Sequence, residues 1–103
     1  MAAKPRKPTD TEILILRVFW DLGPSTVRQV HEVFLRDREL NYTTILKMLQ
    51  TMFEKGLVVR DESGKSHIYA AALNREQTQK NLLSDLMERA FGGSARELVL
   101  LAL

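Results

Sequence analysis

The sequence predicts a mainly α fold with one small β wing, and three observations carry that expectation. Good capping residues (Thr9, Ser25 or Thr26, Asn41, Asn74 and Ser94) precede runs whose apolar side chains recur at helical spacing. The apolar period changes from about 3.6 to 2 over one stretch only, residues 57–70. Glycines at 23, 56, 64, 92 and 93 stand between the periodic runs rather than inside them.

Thr9 and Glu12 have the spacing of a capping box, in which each side chain satisfies the other's backbone N–H. They open a first helix that runs through Asp21, buried on most sides, and Gly23-Pro24 ends it. Ser25 or Thr26 caps a second helix with Val27, Val30, Val33 and Phe34 on its apolar side, followed by a charged end and loop over 36–39. Asn41 caps a third helix, Tyr42 to Lys55, whose stripe is Ile45, Met48, Leu49, Met52 and Phe53; Gly56 closes it. Residues 57–60 and 66–70 read as two strands joined by a turn over 61–65, with Gly64 free to take a positive φ. A fourth helix runs from the Asn74 cap to about Phe91, and a fifth starts after Ser94.

Three helices followed by a hairpin is the order of a winged helix-turn-helix, here followed by a C-terminal helical region. An α-helix fits the B-form major groove, so the third helix is the expected reading element. Its outward Thr43 and Thr44 can bond a base edge or touch a thymine methyl. Lys47 can donate to a guanine or to a phosphate. Tyr42 at the helix start, Arg28 at the start of the second helix, Lys65 at the wing tip and Arg60 along the wing are candidate phosphate or wing contacts. No bidentate Arg or Asn stands on the reading face, so specificity is expected to rest partly on DNA shape.

Length and charge agree with one small DNA-binding domain plus accessories. The 103 residues are 45% apolar, enough for a packed core. The net charge of +2 is concentrated at one end: residues 1–8 carry Lys4, Arg6 and Lys7 with no acid. Eight basic and nine acidic side chains occupy 9–73, and four of each occupy 74–103. The expected organisation is a basic arm over 1–8, a DNA-binding domain over 9–73 and a dimerisation region over 74–103. The last of these holds thirteen apolar side chains in two helices with no third element to cover them. Leu82, Leu83, Leu86, Met87, Phe91, Leu98 and Leu101 are the expected dimer contacts. Two copies would set two reading helices on a palindromic site.

Other chemistries find little support. The absence of cysteine excludes disulfides, thiolate metal sites and cysteine nucleophiles. His31 reads as a partly buried side chain and His67 as a wing residue, too far apart for a dedicated zinc site. No serine stands in a nucleophile-elbow context, and Gly92-Gly-Ser94 lacks the Lys of a phosphate loop. The expectation is therefore no enzyme, no cofactor, no metal and no small-molecule substrate. The basic N-terminus has no apolar core of a signal peptide, so the expected location is cytoplasmic. The rival reading is a winged-helix module that docks on protein rather than DNA.

Three stretches together resemble one family. They are Pro8-Thr-Asp-Thr-Glu12 through Gly23-Pro-Ser-Thr-Val-Arg-Gln-Val30; Asn41-Tyr-Thr-Thr-Ile45 with Phe53-Glu-Lys-Gly-Leu-Val58; and Gly64-Lys-Ser-His-Ile-Tyr69. In order and spacing the chain resembles the penicillinase-repressor family of bacterial regulators, the BlaI/MecI/CopY type. The resemblance implies a homodimeric repressor on a palindromic operator. In the β-lactam systems it also implies release when a membrane sensor-protease triggers cleavage of the repressor. By position, Thr43, Thr44 and Lys47 match the family's reading helix and Lys65 its wing. Two departures stand out. The cysteine cluster of copper-responsive members is missing. The chain also stops on six apolar residues where members usually continue, so either it is cut short there or that tail is buried in a partner.

Overall fold

The computed structural model describes residues 7–37 and 39–103; residues 1–6 of the basic arm and Arg38 of the charged loop lie outside them. The element order is α1 (Asp10–Leu22), β1 (Ser25–Thr26), α2 (Val27–Val33), α3 (Tyr42–Glu54), β2 (Val58–Asp61), β3 (Ile68–Ala71), α4 (Arg75–Phe91) and α5 (Ala95–Ala102). The chain divides into two compact units, the first ending at Leu73 and the second Asn74–Leu103. The first unit is a winged helix-turn-helix: three helices on a three-stranded antiparallel sheet of order β1-β3-β2.

The first unit's core forms where the apolar stripes converge. Ile15, Leu16, Val18 and Phe19 of α1 meet Val27 and Val30 of α2 and Ile45, Leu49 and Met52 of α3, all buried. Tyr69 of β3, 1% exposed, is the largest fully buried side chain. The stripe on α3 is narrow, so the opposite side of a 13-residue helix, roughly 20 Å long, is left outward. Its end is fixed by backbone bonds: the Leu57 N–H donates to the Met52 carbonyl (2.9 Å) and the Gly56 N–H to Phe53 (3.1 Å). That pattern needs a left-handed residue, and Gly56 supplies it with φ 80°. The chain thereby turns from α3 straight into the wing.

The capping box at the start of α1 extends to α3. The Glu12 Oε1 accepts the Thr9 N–H at 2.8 Å and also the Lys55 ammonium, so one buried carboxylate ties the start of α1 to the end of α3. Lys55, just past the last turn of α3, thus serves this tie. Burial pushes the Glu12 carboxyl up, but the bonds from Lys55 and Thr9 outweigh it and hold the group below its ordinary value of 4.5. The folded state's pKa is the lower one, so this stabilisation is complete above about 4.5 and is lost as pH falls through the folded pKa. Glu12→Gln should cost about 1.5–3 kcal/mol at pH 7, the range for a bond to a charged group. Urea unfolding at pH 7 and pH 3.5 checks this: the gap between wild type and variant should narrow at the lower pH.

The structure corrects six local expectations. A third strand, β1, pairs with β3 through Ser25↔Tyr69 and Thr26↔Ile68. Two residues leave no periodicity to read. The wing strands lie one to two residues later than expected, because pairing begins at Asp61↔Ile68 and leaves a six-residue loop over 62–67. A loop that long reverses without a left-handed residue, and Gly64 does not take a positive φ. The turn is shaped instead by the Ser63 N–H donating to Asp61 Oδ1 at 2.9 Å. Finally, α2 stops at Val33, which is exposed, and Phe53 lies at the exposed border of its stripe; Leu40, which the helical spacing did not reach, fills the core.

In the second unit, Asn74 and Ser94 cap α4 and α5 as expected, and Gly92 ends α4 in the left-handed conformation. Among the described residues no helix is long and apolar enough to cross a membrane.

Candidate nucleic-acid interface

The two flanks of α3 line two separate concavities. The flank facing the start of α1 carries Thr43, Thr44, Lys47 and Thr51, which line a cavity of about 340 Å³ together with Thr9 and Glu12. The three residues expected to read bases are thus adjacent. Thr43 and Lys47 are exposed, one turn apart. Thr44 is half-buried, and its hydroxyl donates to Asn41 Oδ1 at 3.0 Å while its N–H donates to the same atom at 2.9 Å. Its hydroxyl proton is therefore engaged in the cap, which leaves it a methyl group and acceptor lone pairs to present outward.

The other flank faces the wing. Arg28, Tyr42, Arg60 and Lys65, from α2, α3, β2 and the wing loop, all line one cleft of about 600 Å³. The sequence placed these four as phosphate or wing contacts without showing that they meet. No carboxylate is among the described lining residues, so the cleft has the charge to accept an anion. Thr26 positions Arg28, because a second capping box with Gln29 (Gln29 N–H to Thr26 Oγ1, 3.2 Å) starts α2 beside the cleft. His31 positions Tyr42: the rings meet edge to face with centroids 5.9 Å apart.

Gln50 and Ser66, which the sequence did not mark as candidates, line the same cleft, as does His67, read from the sequence as a wing residue. The helical wheel already set Gln50 outward. The wing residues depended on where pairing stops, which the sequence did not fix.

With this geometry in place, the comparisons with known proteins are decisive. The family model described as "Penicillinase repressor" matches residues 8–103. The chain belongs to the penicillinase repressor family. Its relatives include the transcriptional regulator BlaI of Mycobacterium tuberculosis (strain CDC 1551 / Oshkosh), 32% identical over 99 residues, or 95% of this chain and 72% of the relative. An uncharacterized 16.5 kDa protein in the ptsI 3' region of Latilactobacillus sakei is 23% identical over 92 residues, covering 89% of this chain and 63% of that one. Among solved structures, the solution structure of apo-NmtR is similar with a TM-score of 0.55 at 23% identity, over 86% of this chain and 71% of the other; that likeness is one of fold. As a member of the penicillinase repressor family, the protein is a transcriptional regulator.

The residues expected to hold a dimer all lie in the second unit. Leu82, Met87, Phe91 and Leu98 are half-buried, and Leu83, Leu86 and Leu101 are exposed at 46%, 41% and 75%. None of the seven is buried within the chain. Val99 and Leu100 of the apolar tail are exposed beside them.

Proposed function

We propose that the protein represses transcription as a homodimer that occupies a palindromic operator and blocks it sterically until a signal weakens the dimer or cleaves the chain. The observation that carries this reading is the meeting of Arg28, Tyr42 and Lys65 in one cleft beside α3. Phosphates of one strand fit that cleft, while Thr43 and Lys47 on the opposite flank enter the major groove. Thr9 lines the reading flank, and Lys7 stands two residues before it in the chain. The cleft's charge favours DNA over a protein partner. The uncovered leucines of α4 and α5 supply the second copy's contact.

The test is selection of genomic DNA fragments by the purified protein at two salt concentrations. Enrichment of a palindrome is the expected result. Retention without sequence preference, or none, would overturn the reading in favour of protein docking. On the selected operator, Lys65→Ala should weaken binding nearly equally for all sequences. It should also flatten the slope of log affinity against log salt by about 0.9 per half-site. Titrations at four or more salt concentrations measure both effects.

A further inference from the structure

Arg60 lines the cleft, yet its guanidinium is already engaged by its own chain. It stands in β2 opposite Tyr69 of β3. Its Cζ lies 4.1 Å from the centre of the Phe53 ring, in the last turn of α3. One Nη donates to Glu62 Oε1, at the start of the wing loop, at 2.5 Å. The side chain is only 20% exposed, and Nε is buried without an acceptor. The side chains of Tyr69 and then Glu62 both favour its charged form. A single planar cation therefore touches the reading helix, the inner wing strand and the wing loop. The stack also covers the Phe53 ring, which lies at the exposed border of the α3 stripe.

Two four-residue strands are marginal by themselves, so the angle of the wing to α3 depends on contacts at its base: the pairing of β1 with β3, the burial of Val58 and Tyr69, and the Arg60 stack on Phe53. Lys65 lies beyond that base, on the loop. We propose that Arg60 is a positioning residue that braces the wing against α3 and acts on DNA through Lys65, rather than as a phosphate ligand itself. This rests on the reading of the cleft as a DNA site.

A double-mutant cycle on the selected operator tests it, using the full chain with Arg60→Gln, Arg60→Lys, Phe53→Leu and Lys65→Ala, singly and with Lys65→Ala. Arg60→Gln should weaken binding about tenfold, within the range of couplings between residues in contact. Arg60→Lys should weaken it nearly as much, because a flexible ammonium cannot stack and bridge as the planar fork does. Phe53→Leu, which leaves both cations in place, should reproduce most of the loss. All three penalties should shrink to under about twofold when Lys65 is already alanine.

Wild-type affinity for Arg60→Lys, or for Phe53→Leu, would overturn the proposal. So would an Arg60→Gln penalty that persists in the Lys65→Ala background with its own fall of about 0.9 per half-site in the salt slope. Thermal unfolding of each variant identifies any that fail to fold, and Phe53→Leu then carries the cycle. A wild-type protein that retains no DNA would remove the reading of the cleft; wild-type binding with additive penalties removes only the brace.

Discussion

Replacing Leu83 and Leu86 by glutamate should convert the protein to a monomer and lower its operator affinity at least a hundredfold. Both side chains are a little under half exposed on α4 and belong to none of the first unit's core, so the substitutions leave that core untouched. In a symmetric dimer each change occurs twice. Burying a fully exposed leucine is worth roughly 1.5–3 kcal/mol; each of these has a little under half of its surface left to bury, so four lost leucines remove roughly 2.5–5 kcal/mol. That is about two to four orders of magnitude in a dissociation constant at about 1.4 kcal/mol per tenfold. Four buried carboxylates would add repulsion. Operator affinity falls with the dimer, because a monomer holds one half-site and loses the intramolecular second contact. Sedimentation at micromolar concentration reads the first effect, and titration of one against two half-sites the second. A variant that stays dimeric places the interface elsewhere, with Val99 and Leu100 the next residues to change. A wild type that is itself monomeric overturns the dimer.

How far the sequence reaches is visible in particular residues. Capping chemistry is local, and Thr9, Thr26, Asn41, Asn74 and Ser94 each cap the helix that follows them. The buried side of α3 was equally legible, since Ile45, Leu49 and Met52 recur at helical spacing. Contacts between distant segments were not. The Lys55 bond to Glu12 joins residues 43 apart, and the Trp20 indole N–H donates to the Leu73 carbonyl across 53. Neither has a spacing signature. The strand β1 exists only because β3 lies beside it. Arg60 shows the same limit at the candidate site. Its place along the wing was readable from the sequence, but its stack on Phe53 and pairing with Glu62 depend on how β2 crosses the end of α3.

Lys47→Ala should cost about 1–3 kcal/mol for each half-site, the worth of a good base contact, and so roughly thirtyfold to twenty-thousandfold for a dimer on two. Its signature should differ from that of Lys65→Ala. Lys47 is exposed one turn after Thr43, on the flank of α3 away from the cleft that holds Arg28, Tyr42 and Lys65. A helix seated in the major groove has one flank toward the base edges and the other toward a phosphate strand, and the division of cations between the flanks assigns Lys47 to the bases. Removing it should therefore abolish the preference for one base pair in each half-site and leave the other positions discriminated as before. Thr44→Ala should matter less for reading, since that hydroxyl's proton is already given to Asn41, and any loss there should appear as reduced helix stability through the cap. Titration of wild type and Lys47→Ala against operators carrying each single base-pair change separates the cases. A uniform loss with a flatter salt slope would make Lys47 a phosphate ligand and shift base reading to Thr43 and to the shape of the DNA.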